Sequence, residues 1–353
     1  MAQSICPRYA ALKETWSHAW TPYCRLASAG PLVIAVYMAE VRALSALDGS
    51  LVWSWQAPSV ISEFVVAANT VVLIANRSMH WLSLMTGVVL EAPSITPGGG
   101  EYANRYNPLP WGDRLVWTSA SSTTTSLWNT SFETPHEATS RPLPCVSVSA
   151  VFAATNDRIV LTHARDGYAC VSAANIETGE LLWEFGGRSD DGFQPNVLAV
   201  FESVVIVRQG KELVALSLDS GAELWRREGV GRDLFVRAPG RLLAVSRTRK
   251  GAPTRVVTLD VENGAEIANA AYAVMAEGKL SPSAYGLFHD GILWLLDHKE
   301  NLIGIASNGT EAIELSGMKS SEMAHPPLGA EGCVVIACEH RGLIAYPTRL
   351  PTR

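Results

Sequence analysis

The sequence predicts an all-β protein, and three observations carry that prediction. Short apolar runs alternate with polar residues along most of the chain, as in half-buried strands. A tight turn with glycine recurs, at Gly49, Gly87, Gly179, Gly221, Gly264 and Gly309. These glycines are separated by 38, 92, 42, 43 and 45 residues, and the interval of 92 is close to two periods. Repeats of about 40–45 residues, each with about four short antiparallel strands, predict a β-propeller.

The repeats number eight when one unit is counted for each pair of central strands. These pairs begin near Pro31, Thr70, Asp113, Arg158, Glu202, Arg241, Gly291 and Gly332. Residues 127–132 belong to a degenerate unit that has no glycine turn. Seven units are the alternative, if residues 101–150 are an insertion. We therefore expect a single propeller domain over residues 1–353, preceded by an irregular N-terminus of about 12 residues.

The N-terminal segment 14–20 predicts how the ring closes. The last repeat ends at residues 343–346, with no glycine turn and no strand after it. Segment 14–20 contains Trp16 and Trp20 and is similar to the Glu-Leu-Leu-Trp strand that follows Gly179. We expect it to pair with the last sheet, because closure removes the free strand edges of an open array.

Composition excludes several classes of protein. The chain is 48% hydrophobic and 18% charged, so it has enough apolar surface for a core and is not disordered. A net charge of −6 argues against a nucleic-acid partner. No uncharged apolar run has the ~20 residues of a membrane helix, and the N-terminus has no basic start before an apolar segment. We expect a cytoplasmic, monomeric protein with reduced cysteines and no membrane partner.

The repeat Leu-x-Ala-Leu-Asp-x-x-x-Gly-x-x-x-Trp resembles the PQQ-like, or quinoprotein-type, β-propeller repeat. The resemblance covers most of the chain and implies that a tryptophan docks between neighbouring blades, a place matched by Trp53, Trp183 and Trp225. Members of that family include quinoprotein alcohol dehydrogenases and non-catalytic scaffolds. No adjacent cysteine pair and no Ca²⁺ carboxylate set occur in this sequence, so we expect neither a cofactor nor a metal. The missing lipoprotein signal argues against the outer-membrane assembly propeller.

Propellers bind partners through loops at the ends of the ring, and we call the hairpins between the second and third strands of each repeat the tip loops. Ten basic residues fall on the tip loops: Arg42, Arg77, Arg165, Arg208, Lys211, Arg247, Arg249, Lys250, Lys299 and Arg341. Six acidic residues accompany them: Glu40, Asp166, Glu212, Asp297, Glu300 and Glu339. The local excess of +4 favours an acidic partner through electrostatic steering. Ordinary solvation of charged hairpin ends is the alternative.

Four tip histidines are candidates for a metal or acid–base site: His80, His163, His298 and His340. No two have ligand spacing, so hydrogen-bonded or solvated histidines are the favoured interpretation. Asp297-His298 and Glu339-His340 are adjacent pairs at the same place in consecutive repeats, but neighbours on a strand face opposite ways. If the chain is an enzyme, its catalytic candidates are His163, Asp297, His298, Glu339 and His340.

The segment 97–108 is the longest glycine-rich loop and contains Tyr102, Arg105 and Tyr106. Aromatic and arginine side chains on a loop suit protein recognition, although a plain connection is equally consistent. The sequence therefore favours a non-catalytic scaffold that binds a protein or peptide through Arg77, Arg165, Arg208, Arg247, Lys299, Arg341 and this loop. A lyase, cyclase or hydrolase with its site at the channel mouth is the alternative, because a fold does not fix a function.

Overall fold

A computed structural model describes residues 8–11, 15–21, 23–76, 78–90, 108–120, 125–134, 137–155, 157–186, 195–228, 234–246, 255–267, 286–296, 301–306, 311–319, 327–338 and 341–348. Across these ranges the chain forms strands and turns, which confirms the predicted all-β class. No helix long and apolar enough to cross a membrane occurs among the same residues.

The strands divide between two compact units. The first unit begins with β1 (Arg8–Ala11), β2 (Trp16–His18), β3 (Arg25–Ala29), β4 (Leu32–Tyr37), β5 (Glu40–Ser45) and β6 (Leu51–Gln56). The second unit contains β7 (Ile61–Ala67), β8 (Thr70–Ala75), β9 (Ser78–Ser83), β10 (Leu109–Trp111), β11 (Arg114–Ala120), β12 (Thr125–Ser131), β13 (Thr139–Leu143), β14 (Val146–Thr155), β15 (Arg158–Arg165), β16 (Tyr168–Asn175), β17 (Leu181–Gly186), β18 (Asn196–Val200), β19 (Val204–Gln209), β20 (Glu212–Ser217) and β21 (Glu223–Glu228).

The chain then returns to the first unit. Its remaining strands are β22 (Leu234–Ala238), β23 (Arg241–Ser246), β24 (Arg255–Asp260), β25 (Glu266–Ile267), β26 (Gly286–His289), β27 (Ile292–Leu296), β28 (Asn301–Ala306), β29 (Glu311–Lys319), β30 (Leu328–Ala330), β31 (Cys333–Cys338) and β32 (Gly342–Pro347). The described strands of both units form eight sheets, and six of these have four strands.

In the second unit, four sheets follow the chain in sequence: β7–β9, β10–β13, β14–β17 and β18–β21. All their pairings are antiparallel between consecutive strands. Apolar side chains of adjacent sheets pack into shared cores, as Val160 of β15 does with Val205 of β19. The central strands are buried on both faces, so they read as continuous apolar runs, such as residues 70–75 of β8.

In the first unit, the sheets are β3–β6, β22–β25, β26–β29 with β1 added, and β30–β32 with β2 added. The two faces of β31 enter different cores. Cys338 packs with Trp294 of β27, whereas Cys333 packs with Leu44 of β5. The opposite facing of these two cysteines, expected from their spacing of five residues, is thus confirmed.

Strand β2 completes the last sheet, as predicted for the N-terminal segment. It pairs antiparallel with β32, and Trp16 lies opposite Ala345. The Trp16 side chain is buried, and its indole N–H donates a hydrogen bond to the Ala46 carbonyl at 2.9 Å. The ring lies on Gly49, where a Cβ atom would come within 2.5 Å of it. The φ of +70° at Gly49 also favours glycine.

The second unit repeats this arrangement with Trp183 of β17. Its indole N–H donates to the Leu218 carbonyl at 2.8 Å, and its ring lies on Gly221. In both cases the accepting carbonyl lies three residues before the glycine. Trp16 therefore takes the place in the last sheet that Trp183 takes in sheet β14–β17. The docking of a tryptophan against the neighbouring turn, implied by the repeat resemblance, is present at both positions.

Two details differ from the expectation. Residues 8–11 were expected to be irregular but form β1, which pairs parallel with residues 311–314 of β29; the edge of β29 supplies the backbone hydrogen bonds that an isolated segment lacks. Sheet β7–β9 has three described strands rather than four. After Gly87, the described residues pair with β9 through a bridge between Leu82 and Val89 and a hydrogen bond from the Leu90 N–H to the Trp81 carbonyl at 2.8 Å.

Candidate functional site

The tip loop between β15 and β16, in the second unit, is a two-residue turn. Asp166 and Gly167 have φ values of +52° and +85°, as in the two-residue turns that suit a tight hairpin. Arg165 and Tyr168 are paired across this turn. The Arg165 side chain is 63% exposed and Tyr168 is also exposed. A rigid sheet thus presents one arginine and one tyrosine to solvent.

Other predicted tip residues vary in exposure. Arg208, at the end of β19, is partly buried, and its Nε donates to the Gly210 carbonyl at 3.4 Å. Arg341 is exposed in the turn before β32, and its backbone N–H donates to the Cys338 carbonyl. Thirteen of the predicted residues lie outside the described ranges: Arg77, Arg247, Arg249, Lys250, Lys299, Glu300, Tyr102, Arg105, Tyr106, Asp297, His298, Glu339 and His340.

Several charged tip residues form ion pairs. In the first unit, Arg42 Nε lies 2.8 Å from a carboxylate oxygen of Glu40. In the second unit, Arg165 lies 2.8 Å from Glu184. Glu184 belongs to β17, a strand outside the tip loop, so counting tip residues in the sequence could not include it. Glu212, another tip residue, pairs with Arg226 of β21, so neighbouring strands bring charges of both signs to the tip loops.

A second feature of the Arg42 tip was also absent from the sequence analysis. The Arg42 guanidinium lies over the Trp20 ring, 4.7 Å from its centroid, which allows a cation–π interaction. Nη1 of Arg42 lies 3.5 Å from Nε2 of His18. Burial and the Arg42 charge lower the pKa of His18, because both disfavour the imidazolium form. The N-terminal segment is therefore fixed to the next sheet by polar as well as apolar contacts.

Behind the Arg165 tip lies a buried histidine. His163 of β15 is 2% exposed. Its Nε2 lies 2.8 Å from the Ser172 hydroxyl and 3.5 Å from Glu184, while Nδ1 faces the Ala164 carbonyl at 3.4 Å. Glu184 is thus shared between His163 and the exposed Arg165. His163 is therefore buried and lies within hydrogen-bond distance of Ser172.

Two buried thiols lie close to the Glu184 charge. Burial, followed by the Glu184 charge, raises the pKa of Cys145 to about 11. The same two causes, in the same order, raise the pKa of Cys170, which lies opposite His163 across the β15–β16 pair. Both thiols therefore stay protonated at neutral pH and are weak nucleophiles.

In the His163 cluster, one carboxylate lies near both a histidine and an arginine. In a nucleophilic relay, the acid and the hydroxyl contact different nitrogens of the ring. Here Ser172 and Glu184 both approach Nε2, and Ser172 is completely buried. Across the described ranges, no group of three or more histidine, cysteine or acidic side chains is placed to hold a metal ion.

Comparisons with known proteins agree with the fold. A family model described as "Outer membrane protein assembly factor BamB" matches residues 110–345. A search of curated proteins found no match. The crystal structure of BamB from Moraxella catarrhalis matches with a TM-score of 0.56 and 13% identity, and the match covers 96% of this chain and all of that one. At this identity the likeness concerns the fold.

The family match concerns the repeats, and the expectation drawn from the N-terminus stays a prediction. The N-terminal sequence argued against the outer-membrane assembly propeller, yet the matching family carries that description. The match rests on residues 110–345, well away from the N-terminus on which the expectation was based. Since the family model covers more than half of the sequence, the chain belongs to the BamB-like family of PQQ-like β-propeller repeat proteins.

Proposed function

We propose that the chain is a non-catalytic, protein-binding β-propeller whose eight sheets form one closed ring and one domain. Three observations support this arrangement. The described strands form eight sheets. Residues 109–143, which the seven-bladed alternative treats as an insertion, contain the sheet β10–β13. The N-terminal strand β2 pairs with β32 near the other end of the chain.

The tip loops are the proposed binding surface, and the Arg165–Tyr168 turn is the observation that carries the proposal. Arginine and tyrosine are enriched among the residues that dominate protein interfaces. Both side chains here are exposed at the end of a hairpin, so the backbone that carries them is already ordered before a partner binds. The family description as an assembly factor also supports a protein or peptide as the partner, and exposed arginines favour an acidic one.

The test is affinity capture from the native host with tip variants. Arg165→Glu combined with Tyr168→Ala changes the proposed surface and leaves the buried cores intact. Leu224→Ser is the matched control, because Leu224 is equally exposed but lies on β21, away from the tip loops. A specific partner should be recovered by the wild type and the control and lost by the double variant. Equal recovery by all three proteins would reject the tip-loop surface.

A further inference from the structure

We propose that His163 is a pH-dependent switch that sets how much positive charge the Arg165 tip offers to an acidic partner. The proposal rests on the proposed function for the identity of the surface. It follows from one geometric fact: a single carboxylate, Glu184, contacts both the buried imidazole and the exposed guanidinium.

The surroundings of His163 can accommodate its protonated form. The Ala164 carbonyl and the Glu184 carboxylate only accept hydrogen bonds, and they lie near opposite nitrogens of the ring. The Ser172 hydroxyl can donate or accept. A neutral imidazole has one N–H and so can donate to only one of the two acceptor-only groups. An imidazolium can donate to both, and Glu184 would balance its charge.

Protonation changes the electrostatics of the tip. With neutral His163, the charges of Glu184 and Arg165 cancel. With protonated His163, the three groups together carry one positive charge. Glu184 then neutralises the buried cation, because a charge in a low-dielectric site interacts most strongly with its nearest partner. Arg165, which is largely exposed, is left free to contact a carboxylate of the partner.

The other titratable groups around His163 keep a constant charge in the range that matters. Cys170 faces it from β16, and Cys145 lies near Glu184 from the segment before β14. The pKa values of both thiols are raised, so both stay neutral. Asp166 of the tip turn is exposed. Imidazole is the side chain that ordinarily changes charge between pH 5 and 8.

The experiment measures binding of a fluorescent hexa-aspartate peptide at pH 5.5 and 7.5, at low salt. Aspartate stays ionised over this range, so the peptide charge does not change. One additional unit charge within about 4 Å in water corresponds to about fivefold tighter binding. We expect wild type to bind about fivefold tighter at pH 5.5. His163→Gln should abolish this difference. Glu184→Gln should bind at pH 7.5 as tightly as wild type does at pH 5.5.

Glu223→Gln is the matched control, because Glu223 pairs with Arg226 at 2.6 Å on the neighbouring sheet and that pair contains no histidine. It should keep the wild-type pH dependence. If His163→Gln does not fold, Glu184→Gln alone carries the test. The switch is overturned if His163→Gln keeps the wild-type pH dependence, or if Glu184→Gln binds the peptide at pH 7.5 no more tightly than wild type does at pH 7.5.

A second measurement separates the switch from the proposed function. The Nε–H signal of Arg165 in selectively ¹⁵N-labelled protein should shift with the same midpoint as the His163 ring signals, with no peptide present. If the two signals titrate together but the peptide binds at neither pH, the acidic-partner surface fails and the switch stands. If the peptide binds but the Arg165 signal does not shift as the His163 ring signals titrate, the switch fails and the binding surface stands.

Discussion

Replacing Trp16 by alanine tests whether the N-terminal strand is an integral part of the last sheet. Trp16 is 7% exposed, and a buried tryptophan removes roughly 200 Å² from water. At about 25 cal/mol per Å², reduced for a compact unfolded chain, this burial contributes about 3–4 kcal/mol. The hydrogen bond to Ala46 adds about 1 kcal/mol. We expect Trp16→Ala to lower the free energy of unfolding by about 4 kcal/mol.

Equilibrium urea denaturation followed by circular dichroism measures this loss. Trp183→Ala is the matched comparison, because Trp183 makes the same two contacts with Gly221 and Leu218 in the middle of the chain. The two losses should agree within about 1 kcal/mol. Trp16→Phe should lose about 2 kcal/mol, because a smaller ring still fills most of the site and Cys333 Sγ also donates to the Ala46 carbonyl, at 3.6 Å.

The reasoning is refuted if Trp16→Ala costs less than about 1 kcal/mol while Trp183→Ala costs about 4. Hydrogen exchange gives a second check on the same variant. Backbone amides of β32 that bond to β2 should exchange faster in Trp16→Ala, because loss of the anchor raises the population of locally open sheet. Unchanged protection along β32 would mean that the strand stays in place without its tryptophan.

Three further predictions concern single positions. Gly221→Ala should lower the free energy of unfolding, measured by urea denaturation, by about 1 kcal/mol more than Gly240→Ala does. Both glycines have positive φ, but only at Gly221 would a Cβ atom meet the Trp183 ring, at 2.7 Å. Equal losses in the two variants would argue against the ring contact. Trp117→Phe should cost about 1 kcal/mol less than Trp16→Phe, because the buried indole nitrogen of Trp117 has no hydrogen-bond partner among the described residues. An equal cost would indicate that this nitrogen is bonded. The folded state lowers the pKa of His18, so the contribution of neutral His18 to stability is complete above pH 6.5 and is lost as the pH falls through 6.5 toward the folded-state pKa. His18→Gln should flatten this part of a plot of unfolding free energy against pH. An unchanged slope in that variant would contradict the assignment to His18.

Much of the strand order could be predicted because it depends on local chemistry. Gly49 and Gly221 mark turns that need positive φ, and the alternating apolar residues beside them give the strand period of two. The role of segment 14–20 could be predicted because it resembles the strand missing from the last repeat. Strand β1 could not be predicted, because its pairing with β29 depends on an edge more than 300 residues away in sequence.

The candidate site was predicted only in part. Arg165 was identified because it flanks a tip turn, and its exposure agrees with that position. Its partner Glu184 was missed, because β17 approaches Arg165 only through the pairing of three strands. The sequence placed His163 near the tip, but its burial and its contact with Ser172 depend on how the sheets pack.

The sequence by itself determined the all-β class, the repeat, the glycine turns and the tryptophan positions, because each depends on backbone conformation or on side-chain alternation within a few residues. The tertiary structure alone decided which charges meet. Glu184 lies 19 residues from Arg165 and 21 from His163 along the chain, yet it contacts both. Ion pairing depends on distances of a few ångströms, and those distances are fixed only when strands pair and sheets pack.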